Sequence, residues 1–393
     1  MADMDLNGLK IRILGAGIGG LTAAIALRQR GGDVAILEQA EAITEVGAGL
    51  QVSPNGVAVL RALGLEDQLA SRAVRAEAVE LRDYAGGKLV ARLDLGLMPE
   101  DARYYFVHRA DLIDLLAGAA RDAGVKVRLL QKVAEVVPGS SPVARMANGA
   151  EAKAQLIIGA DGLHSKSRSA LNGTVAPFFT RQVAWRATVP NTMDHGPVAQ
   201  VHMGPRRHIV TYPLRGGALV NMVAVQERQS WVEEGWHIAD DPNKLRARFA
   251  DFGGQARAVL NAVSDVRQWG LFRHPVAPIW QKDNVALLGD AAHPTLPFMA
   301  QGAVMAMEDA WVLGDALAKA PDINTGLAQY QQRRQDRVAR VVDAASGNAW
   351  KYHLSFTPVR MAAHFGLRAA SILAPGRMMG QFDWIYRHDV TTD

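Results

Sequence analysis

Lys10-Ile11-Arg12-Ile13-Leu14-Gly15-Ala16-Gly17-Ile18-Gly19-Gly20 decides how the first part of this chain is read. Residues 10–14 have the apolar texture of a buried strand, and the glycines follow directly. Gly15-x-Gly17-x-x-Gly20 is the pattern of a dinucleotide phosphate site. The first glycine permits a tight turn, the second lets the backbone approach a pyrophosphate, and the third allows close helix–strand packing. Residues 18–27 then read as an apolar helix whose N-terminus offers free N–H groups and partial positive charge. A second strand, 34–37, ends at Glu38, where a carboxylate can bind ribose hydroxyls. This is a βαβ unit. Gly15, Ala16, Gly17, Gly20 and Glu38 are candidate cofactor ligands, and so far FAD and NAD fit equally.

A second segment separates them. Asn284-Val285-Ala286-Leu287-Leu288 returns to buried-strand texture, and Gly289-Asp290-Ala291-Ala292-His293-Pro294 follows. An acid at the end of a buried strand, beside a small residue, can bind a polyol such as a ribityl chain. Gln301-Gly302-Ala303 then opens a long helix, 302–317. Its N–H groups can face the N1–C2=O edge of a flavin and stabilise the negative charge that reduction places there. With Asp161-Gly162 between them, the two segments point to a chain wrapped around one extended FAD. Asp290, Gly302 and Ala303 join the candidate ligands.

The rest of the chain fits that plan. A helix beginning near Pro54, another opened by Arg109 and strands at 125–129 and 156–158 extend the α/β layer. Residues 184–189, 199–203, 208–213 and 219–225 instead read as successive strands of an antiparallel sheet. The expected architecture is an α/β protein with a discontinuous Rossmann-like FAD-binding domain (1–175 and 271–345), an inserted, mainly antiparallel substrate-binding sheet (176–270) and a helical C-terminal tail (346–393).

Composition narrows the chemistry. The 393 residues carry a net charge of +4 with no cysteine. Disulfides, thiolate metal sites and cysteine nucleophiles are therefore excluded, and redox work needs a borrowed cofactor. Basic residues are scattered, so no nucleic-acid footprint is expected. The N-terminal residues lack the basic and apolar stretches of a signal peptide, and no apolar run approaches a membrane span, which reads as a cytoplasmic protein. His293 has no second ligand at helical spacing, so no metal is expected. The Arg333-Arg334-Gln335-Asp336-Arg337 run reads as a solvated helix face. Core packing is the default for the Met-rich tail, with a border of the pocket or an oligomer interface as the other options.

These markers together resemble the group A FAD-dependent aromatic hydroxylases, in the branch of salicylate hydroxylase, 3-hydroxybenzoate 6-hydroxylase and 6-hydroxynicotinate 3-monooxygenase. The glycine pattern with Glu38, Ala160-Asp161-Gly162, and Gly289-Asp290 before Ala-Ala-His-Pro occur in the family's order along nearly the whole length. The resemblance implies that Arg109 contacts the FAD between its halves, that Val133 lies beside the adenine, and that Gly47 and Gly49 border the isoalloxazine. It associates Asp161 with both FAD and the nicotinamide coenzyme, and Asp290 with the ribityl and pyrophosphate region. Phe298-Met299-Ala300 departs from the glycine-rich stretch that many relatives have before the helix.

The activity so implied is hydroxylation of an aromatic or N-heteroaromatic ring, phenolic and in some cases carboxylated, with NADH or NADPH and O2 through a flavin C4a-hydroperoxide. A phenol is far less nucleophilic than its phenolate and has a pKa near ~10, so a base near the ring hydroxyl is valuable. His208-Ile209-Val210-Thr211-Tyr212-Pro213 lies in the expected substrate sheet, and residues four apart on a strand face one side. The resembling hydroxylases have a His at a matching place before Tyr-Pro. His208 and Tyr212 are therefore the candidate catalytic pair, with Gln301 as a further substrate contact. Arg206 and Arg207 read as a surface pair, with a substrate carboxylate as the other option. A flavin epoxidase or a hydroxylase of larger polyketide or quinone-like substrates is the alternative within the class, separated by pocket volume. A flavin-binding sensor without turnover is the alternative outside it, separated by substrate-stimulated oxidation. A homodimer fits either reading.

Overall fold

The computed structural model describes residues 4–43, 48–228, 238–348 and 352–392. A six-stranded sheet forms the centre of the nucleotide-binding half. Its order is Gln281–Lys282, Val285–Leu287, Leu156–Gly159, Lys10–Leu14, Asp33–Leu37 and Lys126–Arg128. All neighbours are parallel except the Gln281–Lys282 edge. The inner strands are apolar on both faces because helices cover both, as a parallel sheet requires. Ile13 stands between Ile36 and Ile158 in register, and all three are fully buried. Placing Val285–Leu287 beside Leu156–Gly159 brings the carboxyl ends of four strands together, which is where ligands bind in such sheets.

The second sheet has eight strands, in the order Ile238–Asp240, Val266–Arg273, Phe178–Pro190, Leu219–Glu227, Arg207–Leu214, Val198–Gly204, Ala78–Asp83 and Leu89–Asp94. Every pairing is antiparallel except that of Val198–Gly204 with Ala78–Asp83. The sheet expected within 176–270 therefore draws two more strands from residues 78–94. Those strands carry Glu80, Arg82 and Arg92, a buried carboxylate between two guanidiniums. Alternate residues divide the sheet. Trp185, Ile209, Met222 and Ala224 pack onto Phe249, Phe252 and Leu260, from and around the helices Pro242–Arg248 and Gly254–Ala262. His208, Val210, Tyr212, Val223 and Val225 face the other way, into a cavity.

The helix Gly302–Ala318 lies across the nucleotide-binding half, and the helix Ile323–Asn348 packs on it. The expectation that 333–337 is a solvated face is wrong at its centre. Arg334 is 1% exposed, with Nη2 at 2.6 Å from Glu308 Oε2 and Nε at 2.8 Å from Asp309 Oδ1. Arg337 adds a second contact to Glu308 at 2.9 Å. Burial by itself would raise the Glu308 carboxyl, yet Arg334, Arg337 and Asn55 hold it down to about 2. The tail is helical as expected, with helices Thr357–Leu373, Pro375–Gly380 and Asp383–Tyr386. Among the described residues, no helix is long and apolar enough to cross a membrane.

Two outcomes are expected from this packing. Arg334→Met removes the buried guanidinium shared by two buried carboxylates, leaving Glu308 to Arg337 and Asp309 to His293, and should cost about 3–5 kcal/mol in urea denaturation; a loss under about 1 kcal/mol would show that the carboxylates do not depend on it. Burial also lowers the pKa of His195, His202, His208 and His353, His202 to about 3. The unfolded rings bind protons below about pH 6.5 while the folded rings resist them, so stability falls as pH drops below that value. Unfolding free energy measured between pH 7.5 and 5.5 should decline, in a window above that of the depressed carboxyls; a flat profile would contradict it.

Candidate flavin and substrate site

The glycine turn is built by close approach. Gly15 has φ of +99°, and a Cβ there would sit 2.5 Å from the Ala160 carbonyl oxygen. A Cβ on Gly20 would fall 2.1 Å from the Gly15 oxygen. Gly17 differs: no atom lies within 4 Å of where its Cβ would be, and the helix Ile18–Gln29 that follows has no side-chain cap. Its first N–H groups therefore face open space, the condition for receiving a phosphate. Glu38 braces this turn. Its Oε2 accepts from the Ala16 N–H at 2.7 Å and its Oε1 from the Ala40 N–H at 2.8 Å.

Asp290 is different in kind. Among the described residues no protein group donates a hydrogen bond to its carboxylate, and its exposed side chain lines the cavity. Surrounding protein atoms push its pKa above the ordinary carboxylate range, against the pull of His293, Arg109 and His274. A carboxylate so placed suits a ligand with hydroxyl donors. The loop beneath it is fixed by Asp309, whose Oδ2 accepts from the Gly289 N–H at 3.1 Å and meets His293 Nε2 at 2.5 Å. Gly302–Ala318 begins without a side-chain cap, and Gly302 and Ala303 line the cavity. Ala300, in the stretch that departs from the family's glycines, has φ of +54°, a conformation a glycine would adopt without strain.

Gln301 does not make the expected substrate contact. It is 2% exposed and absent from the cavity wall. Its Nε2 donates to Ser53 Oγ at 2.9 Å and its Oε1 accepts from Asn55 Nδ2 at 3.1 Å, so the side chain points into the protein and steadies the helix start. Arg109 begins the helix Arg109–Asp122 and lines the cavity, with its backbone N–H bound to the Ala48 carbonyl at 2.8 Å. Gly49 also lines it; its N–H donates to Asn221 Oδ1 at 2.7 Å, and a Cβ there would sit 2.5 Å from the Tyr212 ring. Gly47 lies outside the described residues. Val133 begins the strand Val133–Val137, in a separate three-stranded sheet, and is not on this cavity's wall. Asp161 spends its carboxylate on the start of the helix Lys166–Asn172, accepting from Ser165, Lys166 and Ser167 at 2.5–3.2 Å. Its neighbours Ala160 and Gly162, not Asp161 itself, line the cavity.

One cavity of about 520 Å³ connects these parts, running from Gly17 past Asp290 to the open face of the eight-stranded sheet. His208 and Tyr212 share that face as their spacing requires, and both are buried. Burial first, then the neighbouring His353, lowers the His208 pKa well below the ordinary value, so the ring is neutral at pH 7. Burial raises the Tyr212 phenol, opposed by Arg186, which keeps it protonated and makes it a hydrogen-bonding group, not a base. Arg186 lines the same cavity and lies over the Trp269 ring at 5.0 Å. Arg206 and Arg207 point elsewhere, to Glu227 and Asp251. The tail contributes Met378, Phe382 and Tyr386 to the wall, so it does more than pack. His353 and the tail aromatics escape sequence reading because no local spacing ties them to residues 15–20 or 208–212, and Arg186, beside the buried Trp185, reads in the sequence as a strand-end charge with no catalytic role.

An open phosphate-binding turn, an unpartnered acid in the cleft and an uncapped helix start fit an extended FAD, and the adjoining cavity fits a ring substrate. The fold and site define a flavin-dependent hydroxylase. The chain belongs to the FAD binding domain family, whose pattern matches residues 9–345. It is 37% identical over 366 residues to the 3-amino-4-hydroxybenzoate 2-monooxygenase of Streptomyces cremeus, covering 91% of this chain and 90% of that one. It is 35% identical to the 3-hydroxybenzoate 6-hydroxylase of Polaromonas naphthalenivorans, covering 88% of each. Klebsiella pneumoniae HpxO, complexed with FAD and uric acid, superposes with a TM-score of 0.83 at 26% identity, covering 96% of this chain and 97% of that one. The protein is an FAD-dependent aromatic monooxygenase that uses NAD(P)H and O2.

Asp290→Ala tests the flavin cradle. A hydrogen bond to a charged group contributes about 1.5–3 kcal/mol, so FAD dissociation should rise about tenfold or more in a flavin-fluorescence titration. Stability of the apoprotein should stay within about 0.5 kcal/mol, since no protein partner is lost. Unchanged FAD affinity would remove Asp290 from the site.

Proposed function

We propose that the substrate is a small hydroxylated aromatic carboxylate and that His208 takes the proton of its ring hydroxyl. The observation that carries this reading is a neutral imidazole on the wall of the cavity that adjoins the flavin cradle. Bound FAD, reduced by NAD(P)H, supplies the activated oxygen; the chain supplies binding, orientation and proton handling. The apolar wall formed by Val201, Val210, Val223 and Leu296 excludes water from the ring. Tyr212 offers a phenolic O–H, and Arg186 places positive charge on the wall, where it favours both a carboxylate and a phenolate. The hydroxybenzoate named for each of the two curated relatives carries a ring hydroxyl and a carboxylate, which supports the same class here. The volume of the cavity, shared between flavin and substrate, favours one ring over a large polyketide.

The test is turnover with 3-amino-4-hydroxybenzoate, 3-hydroxybenzoate and uncharged phenols. The expected result is faster NAD(P)H oxidation with a product heavier by one oxygen, preferentially with the acids; peroxide alone would mean uncoupling. His208→Gln should retain FAD and lose hydroxylation by about 10²–10⁴-fold. Near-normal coupled turnover in that variant would refute the assignment. Arg186→Gln should raise KM for the acids more than for the uncharged phenols, and an equal effect on both would separate Arg186 from the carboxylate.

A further inference from the structure

The hydrogen bonding of His208 does not stop at its first partner. His208 Nδ1 lies 2.7 Å from His353 Nε2, and His353 Nδ1 lies 3.0 Å from Glu227 Oε1. The other oxygen of Glu227 meets Arg206 Nε at 3.0 Å. That last pair reaches the surface: the Arg206 and Glu227 side chains are 57% and 32% exposed, against 1% for His353. The three groups form a row from the cavity wall to solvent. Strand pairing helps to build it, since His208 stands opposite Val225, two residues before Glu227. His353 is fixed through its carbonyl oxygen, which accepts from the Arg206 N–H at 3.1 Å.

Donor chemistry gives the row a direction. A carboxylate only accepts, so His353 Nδ1 carries the hydrogen and its Nε2 accepts. His208 Nδ1 must then donate, which leaves His208 Nε2 as a bare acceptor. Among the described residues no protein group bonds that nitrogen, and His208 lines the cavity. The proton it takes cannot rest there. The ring is buried among Phe298, Tyr352 and His353, and both burial and His353 disfavour its cation.

We propose that His208, His353 and Glu227 form a proton relay that carries the proton of the bound substrate hydroxyl to the surface and returns one to the product. The proposal rests on His208 acting as the base. The substrate O–H bond breaks as its proton bonds to His208 Nε2; the Nδ1 proton of His208 passes to His353 Nε2, and the Nδ1 proton of His353 passes to Glu227 Oε1. A phenolate, two neutral imidazoles in the opposite tautomer and a neutral Glu227 carboxyl result, and the carboxyl exchanges its proton with water. Running the row in reverse protonates the product and restores the first tautomers. His353 and Glu227 touch no substrate; they act through His208.

The experiment mixes FAD-loaded protein with 3-amino-4-hydroxybenzoate in weak buffer. Stopped-flow difference absorbance follows ionisation of the bound ring, and an indicator dye follows proton release. Glu227→Gln keeps an oxygen for His353 to bond but cannot take its proton; His353→Phe keeps a ring and cuts the row. Each should slow ionisation and proton release at least about tenfold, with probe affinity within about twofold and FAD retained. Glu227→Asp should restore most of the rate. Wild-type rates in both Glu227→Gln and His353→Phe, with His208→Gln slow, would overturn the relay and leave His208 as the base. If His353→Phe fails to fold, Glu227→Gln decides alone. Unchanged ionisation in His208→Gln, or no binding of the probe to the wild-type protein, would overturn the underlying reading and the relay with it.

Discussion

The buried pairing of Arg334 with Glu308 and Asp309 is the constraint on which the site depends. Three parts of the chain meet there. Glu308 and Asp309 stand on the helix whose start borders the cavity, Arg334 comes from the helix packed behind it, and Asp309 reaches forward to the Gly289 N–H and His293. Buried ions gain little net stability over apolar packing, because removing them from water costs nearly what their attraction returns. What they provide is geometry: each charge has one place where it is satisfied. The Gly289-Asp290 loop and the Gly302 helix start are thereby held in a fixed relation. Glu308 also accepts from Asn55, and Asn55 from there reaches Gln301, so the network ends at the residue that precedes the helix bordering the cavity.

A second constraint joins the two halves. Gly49, in the nucleotide-binding part, approaches Tyr212 and Asn221 of the eight-stranded sheet so closely that no side chain fits between them. The Gly49 N–H on Asn221 fixes the distance between the flavin side and the sheet. His208 and Tyr212 are therefore positioned by sheet register and by this seam, not by a mobile loop. A neutral histidine in a dry wall is a good acceptor and a poor resting place for charge, and its bonded row toward the surface resolves that conflict.

Much of this was legible in the sequence because its signals are local. The strand–glycine–helix unit at 10–29, the Gly289-Asp290 turn and the two-residue alternation at 207–214 all reflect backbone geometry that neighbouring residues dictate. What was not legible depends on long-range pairing. The strands at 78–94 join the second sheet by a parallel contact with residues far downstream, and their charged side chains are satisfied only once folded. Arg334 looks like a surface charge until two carboxylates from another helix surround it. Gln301 carries the chemistry of a substrate ligand, but Ser53 and Asn55 take its amide. Nothing near His208 announces His353, because their meeting requires the chain to return after the long helix.

The cavity has two kinds of wall, and they differ in how freely they can change. The sheet side is locked at Gly49 and by paired strands, whereas the opposite side is formed by the turn at 296–299 and by tail residues such as Met378, Phe382 and Tyr386. The turn and tail side chains lie outside the strand ladders, so their size can vary without breaking a register. Divergence of ring preference on this scaffold should therefore accumulate in the turn and the tail, and directed evolution toward a bulkier ring would begin there while leaving the proton-handling strand untouched.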